Sequence, residues 1–340
     1  MIRYGNVSGV HLWIDASAGI AGDMLLGALL DAGAPLDAVA AAVSAVLPGE
    51  VDLQTAVVQR AGLRALHVTV RSRAEEHPHR AWVDIRHLLE SADLPPAVTH
   101  RALSVFGLLA EAEGRVHDTA PVDVTFHEVG AWDSIADVVG VCAGLVALDV
   151  TAVTVSPVAL GSGRVRTAHG ELPVPVPAVL ELARGWEVLA GGADELATPT
   201  GMALVAALAT ESGPLPPMRV DAVGVGAGGR DVPGRANVVR AVLGQAQVDP
   251  AVARMWLLET NVDDLDPRVW PDVLARLLEA GAADAWLVPI LMKKGRPAHT
   301  LCVLAHDAGR DALREAMFSL TPTLGVRESA VWQDTREKMK

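Results

Sequence analysis

Val10-His11-Leu12-Trp13-Ile14-Asp15, followed by Ala16-Ser17-Ala18-Gly19-Ile20-Ala21-Gly22-Asp23-Met24, decides how the first half of the chain is read. The first six residues are strand-like and end on a carboxylate. Ser17, Gly19 and Gly22 supply a turn. Asp23 then caps a helix that runs through Met24, Leu25, Ala28 and Leu29 to Gly33. A strand that feeds a helix through a glycine turn makes this half a mixed α/β region.

Working outward, Val51 to Arg60 and Leu63 to Arg71 read as a hairpin around Ala61-Gly62. A polar loop from Ser72 to Arg80 leads to helical stretches over 82–91 and 96–114, and 131–148 reads as a long buried helix. Thr151 to Leu160 is rich in β-formers. Pro173-Val174-Pro175-Val176-Pro177 is incompatible with a central strand or a helix interior, and its last proline starts a short helix at Ala178. A further helix follows Thr198-Pro199-Thr200-Gly201, with proline in the first turn. Gly213-Pro214-Leu215-Pro216-Pro217 and Gln245 to Pro250 read as breaks.

Past residue 252 the pattern becomes regular: strand 253–261, helix 268–280, strand 283–290, strand 299–305, helix 310–319 and strand 324–332. That order, βαββαβ, is the ferredoxin-like plait. The expected class is therefore α+β, a mixed N-terminal α/β region followed by a C-terminal ferredoxin-like domain. The expected divisions are 1–215, a β-rich connecting segment 216–250, and 251–340.

Composition narrows the function. The chain has 340 residues, 51% of them hydrophobic, enough for more than one core. Its longest apolar run, Val138 to Leu148, is about 11 residues, well short of the ~20 that cross a bilayer. No signal-peptide core precedes Asp15, so no membrane partner and a cytoplasmic location are expected. A formal net charge of −13 argues against nucleic acid as a partner. The two cysteines, Cys142 and Cys302, provide neither a disulfide framework nor a thiolate zinc site. Seven of the 11 histidines fall between His67 and His127, which places any imidazole metal site in the N-terminal half.

Phe126-His127-Glu128-Val129-Gly130-Ala131-Trp132-Asp133-Ser134-Ile135-Ala136-Asp137 is the strongest local cluster. His127 and Glu128 stand at the start of a helix, and Asp133 and Asp137, four apart, share one face. Imidazole with carboxylates suits Ni, Zn, Fe or Mn. Acids in a first helical turn also simply favour the helix dipole. His77 and His79 flank Pro78 in the polar loop, which is either a stiffened ligand pair or a solvated turn. Asp15 and Asp23 bracket a turn that can hold a metal or an anion, although helix capping alone explains Asp23. In the C-terminal module, Asp263 and Asp264 end a strand, and Lys293-Lys294-Gly295-Arg296-Pro297 joins two others. Acids for Mg²⁺ and cations for a triphosphate make a nucleotide site, with a solvated lysine turn as the plainer alternative. The string Gly224-Val225-Gly226-Ala227-Gly228-Gly229 lacks the following helix that a dinucleotide fingerprint requires.

Taken together, several separated motifs resemble the LarC nickel insertion proteins. They are Trp13-Ile14-Asp15 through Gly22-Asp23-Met24, Phe126-His127-Glu128-Val129-Gly130-Ala131 through Asp133-Ser134, and His169-Gly170-Glu171-Leu172-Pro173-Val174-Pro175. Thr198-Pro199-Thr200-Gly201, Glu259-Thr260-Asn261-Val262-Asp263-Asp264, Met292-Lys293-Lys294-Gly295-Arg296-Pro297 and Thr323-Leu324-Gly325-Val326-Arg327 complete the set. The motifs span nearly the whole chain in the expected order. Thr125 and Arg268 depart from the family, which usually carries a histidine and an acid there. Relatives usually also continue for several dozen residues past the last motif.

The resemblance implies chemistry that spacing does not reveal. The family inserts nickel into a pyridinium bisthiocarboxylate mononucleotide, forming a nickel–carbon bond while CTP is converted to CMP and pyrophosphate with Mg²⁺ or Mn²⁺. The product resembles the cofactor of lactate racemase and other nickel-pincer enzymes. On this reading His77, His79, His127, Asp15, Asp23 and Asp137 hold or relay nickel, and His127, Glu128 and Asp133 are the catalytic groups. Asp263 and Asp264 would hold the nucleotide's divalent ion, and Lys293, Lys294 and Arg296 its phosphates. A homo-oligomer is expected, since plait edges and faces associate. The rivals are a metal-dependent nucleotide phosphohydrolase and a non-catalytic nickel-binding metallochaperone.

Overall fold

In a computed structural model the described residues are 9–72, 80–126, 130–167, 170–232, 234–246, 252–306 and 309–334. The chain forms two units, one over Asn6–Gln247 and the other over Val248–Lys340. The first opens with β1 (Val10–Asp15), α1 (Gly22–Asp31), α2 (Leu36–Val46) and the hairpin β2 (Val51–Arg60) and β3 (Leu63–Ser72). There follow β4 (Arg80–Ala81), α3 (Trp82–Ser91), α4 (Pro96–His117), β5 (Thr125–Phe126) and α5 (Trp132–Ala147). Next come β6 (Val150–Val155), β7 (Val158–Ala159), β8 (Gly161–Thr167), β9 (Gly170–Val174) and α6 (Pro177–Leu182). The unit closes with β10 (Val188–Leu189), β11 (Asp194–Glu195), α7 (Pro199–Leu208), β12 (Glu211–Ser212), β13 (Met218–Ala227) and β14 (Val238–Ala246).

Its main sheet has seven strands in the order β12-β6-β1-β14-β13-β3-β2. β1 pairs parallel with β6 and antiparallel with β14, and β13 pairs parallel with β3, so the sheet is mixed. The stretch 216–250, expected as a connector, supplies β13 and β14 in the middle of this sheet. The boundary between units accordingly falls near residue 247.

The core explains the helices. α5 is buried from Ile135 to Leu145 apart from a half-buried Asp137 region, as its unbroken apolar run demands, and it packs with Leu26, Leu29, Val39 and Phe106. Burial pushes the Cys142 thiol in this helix up to about 12, which removes it from thiolate chemistry. No polar cap precedes α2 to mark its start in the sequence, its N-cap being Pro35. It buries Val39, Ala42, Val43 and Val46 at helical spacing. The proline segment behaves as its chemistry requires: β9 lies at the edge of the order β11-β8-β9, and Pro177 begins α6.

The glycine string has a packing role. Gly224 and Gly226 lie on β13 beneath α1, where a methyl on Gly226 would overlap the Met24 carbonyl and the Ala28 nitrogen. A methyl on Gly224 would overlap the Ala28 carbonyl, and one on Gly27 would stand 2.6 Å from the Leu66 carbonyl. Helix and sheet therefore approach backbone to backbone, which sets α1's N-terminus against β3.

The turn after β1 is held by Asp15, which is buried. Its carboxylate accepts the Ser17 N–H at 3.0 Å and Arg240 Nε–H at 2.8 Å, and it also pairs with Arg240 Nη2. Burial alone would raise its pKa, but the bonds from Ser17 and Arg240 prevail and hold it below the ordinary carboxylate value. Arg240→Ala is expected to cost about 1 kcal/mol at neutral pH in urea unfolding, a figure discounted for the half-exposed guanidinium. Asp15 has a depressed folded pKa, so this contribution exists above its unfolded value and is lost as pH falls through the folded one.

The second unit runs β15 (Val252–Val262), α8 (Trp270–Glu279), β16 (Asp284–Met292), β17 (Arg296–His306), α9 (Arg310–Leu320) and β18 (Arg327–Asp334). Its four strands are ordered β16-β17-β15-β18, every neighbouring pair antiparallel. Leu258, Val262, Val273, Leu277, Leu301, Val303, Leu313 and Met317 form its core between one sheet face and the two helices. No helix among the described residues is long and apolar enough to cross a membrane.

Candidate functional site

The starts of α1, α5 and α7 meet at a cleft of about 430 Å³ in the first unit. Ala21, Gly22 and Asp23 come from α1's start, Asp133, Ser134 and Asp137 from α5, and Thr198 to Thr200 from α7. β3 contributes His67 to Val70, and β11 contributes Glu195. Small residues allow the convergence. A methyl on Gly22 would lie 2.7 Å from Asp137 Oδ2, and one on Gly201 would collide with the Ile20 carbonyl. Thr198 caps α7 by accepting the Gly201 N–H at 3.1 Å, whereas α1 and α5 begin at alanines without side-chain caps. Three helix N-termini thus direct partial positive charge at the acids between them.

Those acids are unusual. Asp137 Oδ1 is buried and has no hydrogen-bond partner. Burial pushes the Asp137 carboxyl well above its ordinary range, the charges of Asp23 and Asp133 push it the same way, and the Asp23 N–H opposes them. Asp23 is also raised by burial, against the Met24 N–H it accepts at 2.8 Å and the nearby His67. Asp133 accepts the Ser134 N–H at 2.8 Å. His67 is oriented by the backbone: Nδ1 lies 3.0 Å from the Ala227 carbonyl, which can only accept, so Nδ1 is the donor there. The cleft can therefore take up a proton or attract a cation. Among the described residues, no group of three or more His, Cys, Asp or Glu side chains is arranged to hold a metal ion.

Of the residues expected from the sequence, the fold brings Asp23, Asp133 and Asp137 to one place. Asp15, expected as a metal ligand, does not line this cleft and is instead occupied by Arg240 and Ser17. His77, His79, His127 and Glu128 lie outside the described residues. Their chain neighbours Arg80 and Phe126 are register partners in the β4–β5 pair. Arg80 donates to the Gly130 carbonyl at 2.7 Å and stacks 3.2 Å over the Trp132 ring, which fixes the start of α5. His67 and Glu195 were not singled out in the sequence. Nothing local marks His67, whose place depends on the parallel pairing of β3 with β13.

In the second unit, Asp263 and Asp264 follow the end of β15, and the turn Lys293–Gly295 precedes β17. The two strands pair with Val262 opposite His299, so both motifs share one end of the sheet. Arg296 and Asp263 meet at 3.2 Å. Lys293 and Lys294 are exposed, the latter at φ 65°. The Thr323 motif reaches the same end, where Thr260 Oγ1 donates to the Gly325 carbonyl at 2.8 Å and Arg327 donates to Asn261 Oδ1 at 3.0 Å. Arg268 pairs with Asp266 at 2.7 Å, locking the turn before α8.

A family model described as nickel insertion protein matches residues 12–339. The chain is 58% identical over 330 residues to the pyridinium-3,5-bisthiocarboxylic acid mononucleotide nickel insertion protein of a Nocardioides species, covering 96% of this chain and 82% of that one. It is 44% identical over 320 residues to a putative nickel insertion protein of Geobacter metallireducens, covering 93% of this chain and 82% of that one. A solved apo structure is LarC2, the C-terminal domain of a cyclometallase involved in synthesis of the NPN cofactor of lactate racemase. It aligns at 35% identity with 24% of this chain and 57% of its own, at a TM-score of 0.24.

Proposed function

The chain belongs to the nickel insertion protein family, and on that footing we propose that it inserts nickel into pyridinium-3,5-bisthiocarboxylic acid mononucleotide, with CTP as co-substrate, to form the nickel-pincer nucleotide. The observation that carries this reading is the 58% identity to a relative of that name across 96% of the chain. The cleft that gathers Asp23, Asp133 and Asp137 is its proposed seat.

Nickel is a substrate in this reaction. The nucleotide brings two thiocarboxylate sulfurs, which suit nickel and explain why the buried Cys142 and Cys302 are not needed. Insertion breaks a ring C–H bond and forms a nickel–carbon bond, so a base must take the ring proton. Asp133 in the cleft, with His127 and Glu128 from the adjoining stretch of chain, are the proposed catalytic groups. Asp23 and Asp137, with His77, His79 and His127, are the proposed metal-handling groups.

The second unit is the proposed CTP site. Asp263 and Asp264 offer the hard oxygen donors that Mg²⁺ or Mn²⁺ prefers, and the bound ion would neutralise phosphate charge. Lys293, Lys294 and Arg296 stand at the same sheet end for the triphosphate. The βαββαβ order and the strand order support a ferredoxin-like plait there. Its sheet edges would serve a homo-oligomer, and a cytoplasmic enzyme supplying nickel-pincer enzymes such as lactate racemase completes the proposal.

Lys293→Ala/Lys294→Ala is expected to weaken CTP binding at least about tenfold in calorimetry, because two phosphate contacts are lost. Unchanged affinity would remove CTP from this loop. The reaction itself is tested by following nickel-dependent consumption of the mononucleotide chromatographically, and no consumption with Ni²⁺ and CTP present would refute it.

A further inference from the structure

We propose that Arg80 is a positioning residue for the insertion reaction, holding the first turn of α5 so that the Asp133 carboxyl stays at the cleft. The inference rests on the nickel-insertion reading and adds to it a residue that does not itself line the cleft. α5 needs an outside hold. It starts after Ala131 with no side-chain cap, and Asp133 in its first turn is exposed. A helix end without a cap frays more readily, because its first N–H groups have no partner.

Arg80 supplies that hold from 50 positions away. It is buried, its Nη1 donates to the Gly130 carbonyl at 2.7 Å, and its guanidinium lies 3.2 Å from the centre of the Trp132 ring. It therefore grips the residues on both sides of Ala131. A charge-assisted bond and a cation–π contact shielded from water are stronger than neutral contacts. Arg80 is itself anchored. Its backbone pairs with Phe126, and Phe126 belongs to a run of rings in which Trp82, Phe106 and Phe126 follow at 6.3 Å intervals. The Gly130 backbone packs against the same pair, since a methyl there would stand 3.1 Å from the Phe126 carbonyl and 3.3 Å from the Arg80 nitrogen. Asp133 directly follows Trp132, so freedom at the clamp passes straight to its carboxyl. Misplacing a reacting group by about 1 Å can cost about 100-fold in rate. Because Arg80 acts through α5, substrate affinity is left nearly alone.

The test combines hydrogen exchange, read by mass spectrometry, with steady-state insertion kinetics on full-length Arg80→Ala and Arg80→Lys. In Arg80→Ala the amides of 132–137 are expected to exchange at least about tenfold faster, with those of β13 and β14 unchanged. Its kcat is expected to fall about 10- to 100-fold, with KM for the mononucleotide within about threefold of wild type. Lysine keeps the charge and a donor but loses the planar stack, so Arg80→Lys should lie between, and it decides the matter where the alanine chain does not fold. Unchanged exchange over 132–137, or a wild-type kcat in the folded variants, would overturn the proposal. So would faster exchange in β13 and β14 as well, which marks general loosening. Wild type that forms no product would sink the insertion reading and this role with it, whereas equal turnover by wild type and variants would sink this role alone.

Discussion

Asp137→Asn is expected to lower nickel insertion by about 10- to 100-fold, as loss of a metal-site carboxylate does, while making the protein more stable in alkali. The two effects share one cause. The Asp137 carboxyl is withdrawn from water, its buried Oδ1 lacks a partner, and Asp23 and Asp133 stand near it. Each factor disfavours the charged form, so its folded pKa lies above the unfolded value. An acid shifted upward binds its proton more tightly in the folded state. Stability therefore increases as pH falls from above the folded pKa toward the ordinary carboxylate range, and the full cost of ionisation is paid above it. Asparagine keeps the shape and removes the ionisation. Calorimetric melting between about pH 5 and about pH 9 should show wild type losing stability relative to Asp137→Asn as pH rises. Parallel curves would show that Asp137 is ionised without penalty, and the cleft would lose its distinguishing feature.

Gly226→Ala is expected to destabilise the first unit by about 3 kcal/mol, near the upper end for overpacking. The added methyl meets the Met24 carbonyl on one side and the Ala28 nitrogen on the other. Both are backbone atoms of α1, so no rotamer change relieves the clash and the helix must move off β13. Because α1 carries Asp23 to the cleft, the damage should reach nickel binding as well. Gly229→Ala is the matched control: nothing lies within 4 Å of its added methyl, and a change within about 0.5 kcal/mol is expected. Equal urea midpoints for the two variants would mean that α1 does not rest on the glycines.

Much of the fold was legible because it depends on local chemistry. β1, the hairpin at Ala61-Gly62, α5 and the alternation past residue 252 follow from periodicity and turn residues, and Ala61 and Gly62 do adopt positive φ. The shared face of Asp133 and Asp137 was equally local, being four residues on one helix. What was not legible depends on distant partners. Arg240 claims Asp15 from 225 positions away, and the carbonyl that fixes His67 lies 160 positions along the chain. The glycines of β13 look like a loop motif until α1 is seen lying on them. α2, capped by proline and rich in alanine, carried too few polar boundary signals to be separated from a loop.

The most direct test of the central claim is mass spectrometry of the purified chain incubated with pyridinium-3,5-bisthiocarboxylic acid mononucleotide, Ni²⁺, Mg²⁺ and CTP. The account predicts a nickel-containing nucleotide that has lost its ring proton, formed together with CMP. CMP without that product would point to a nucleotide phosphohydrolase, and Ni²⁺ bound with neither product would point to a metallochaperone. Either result would contradict the claim.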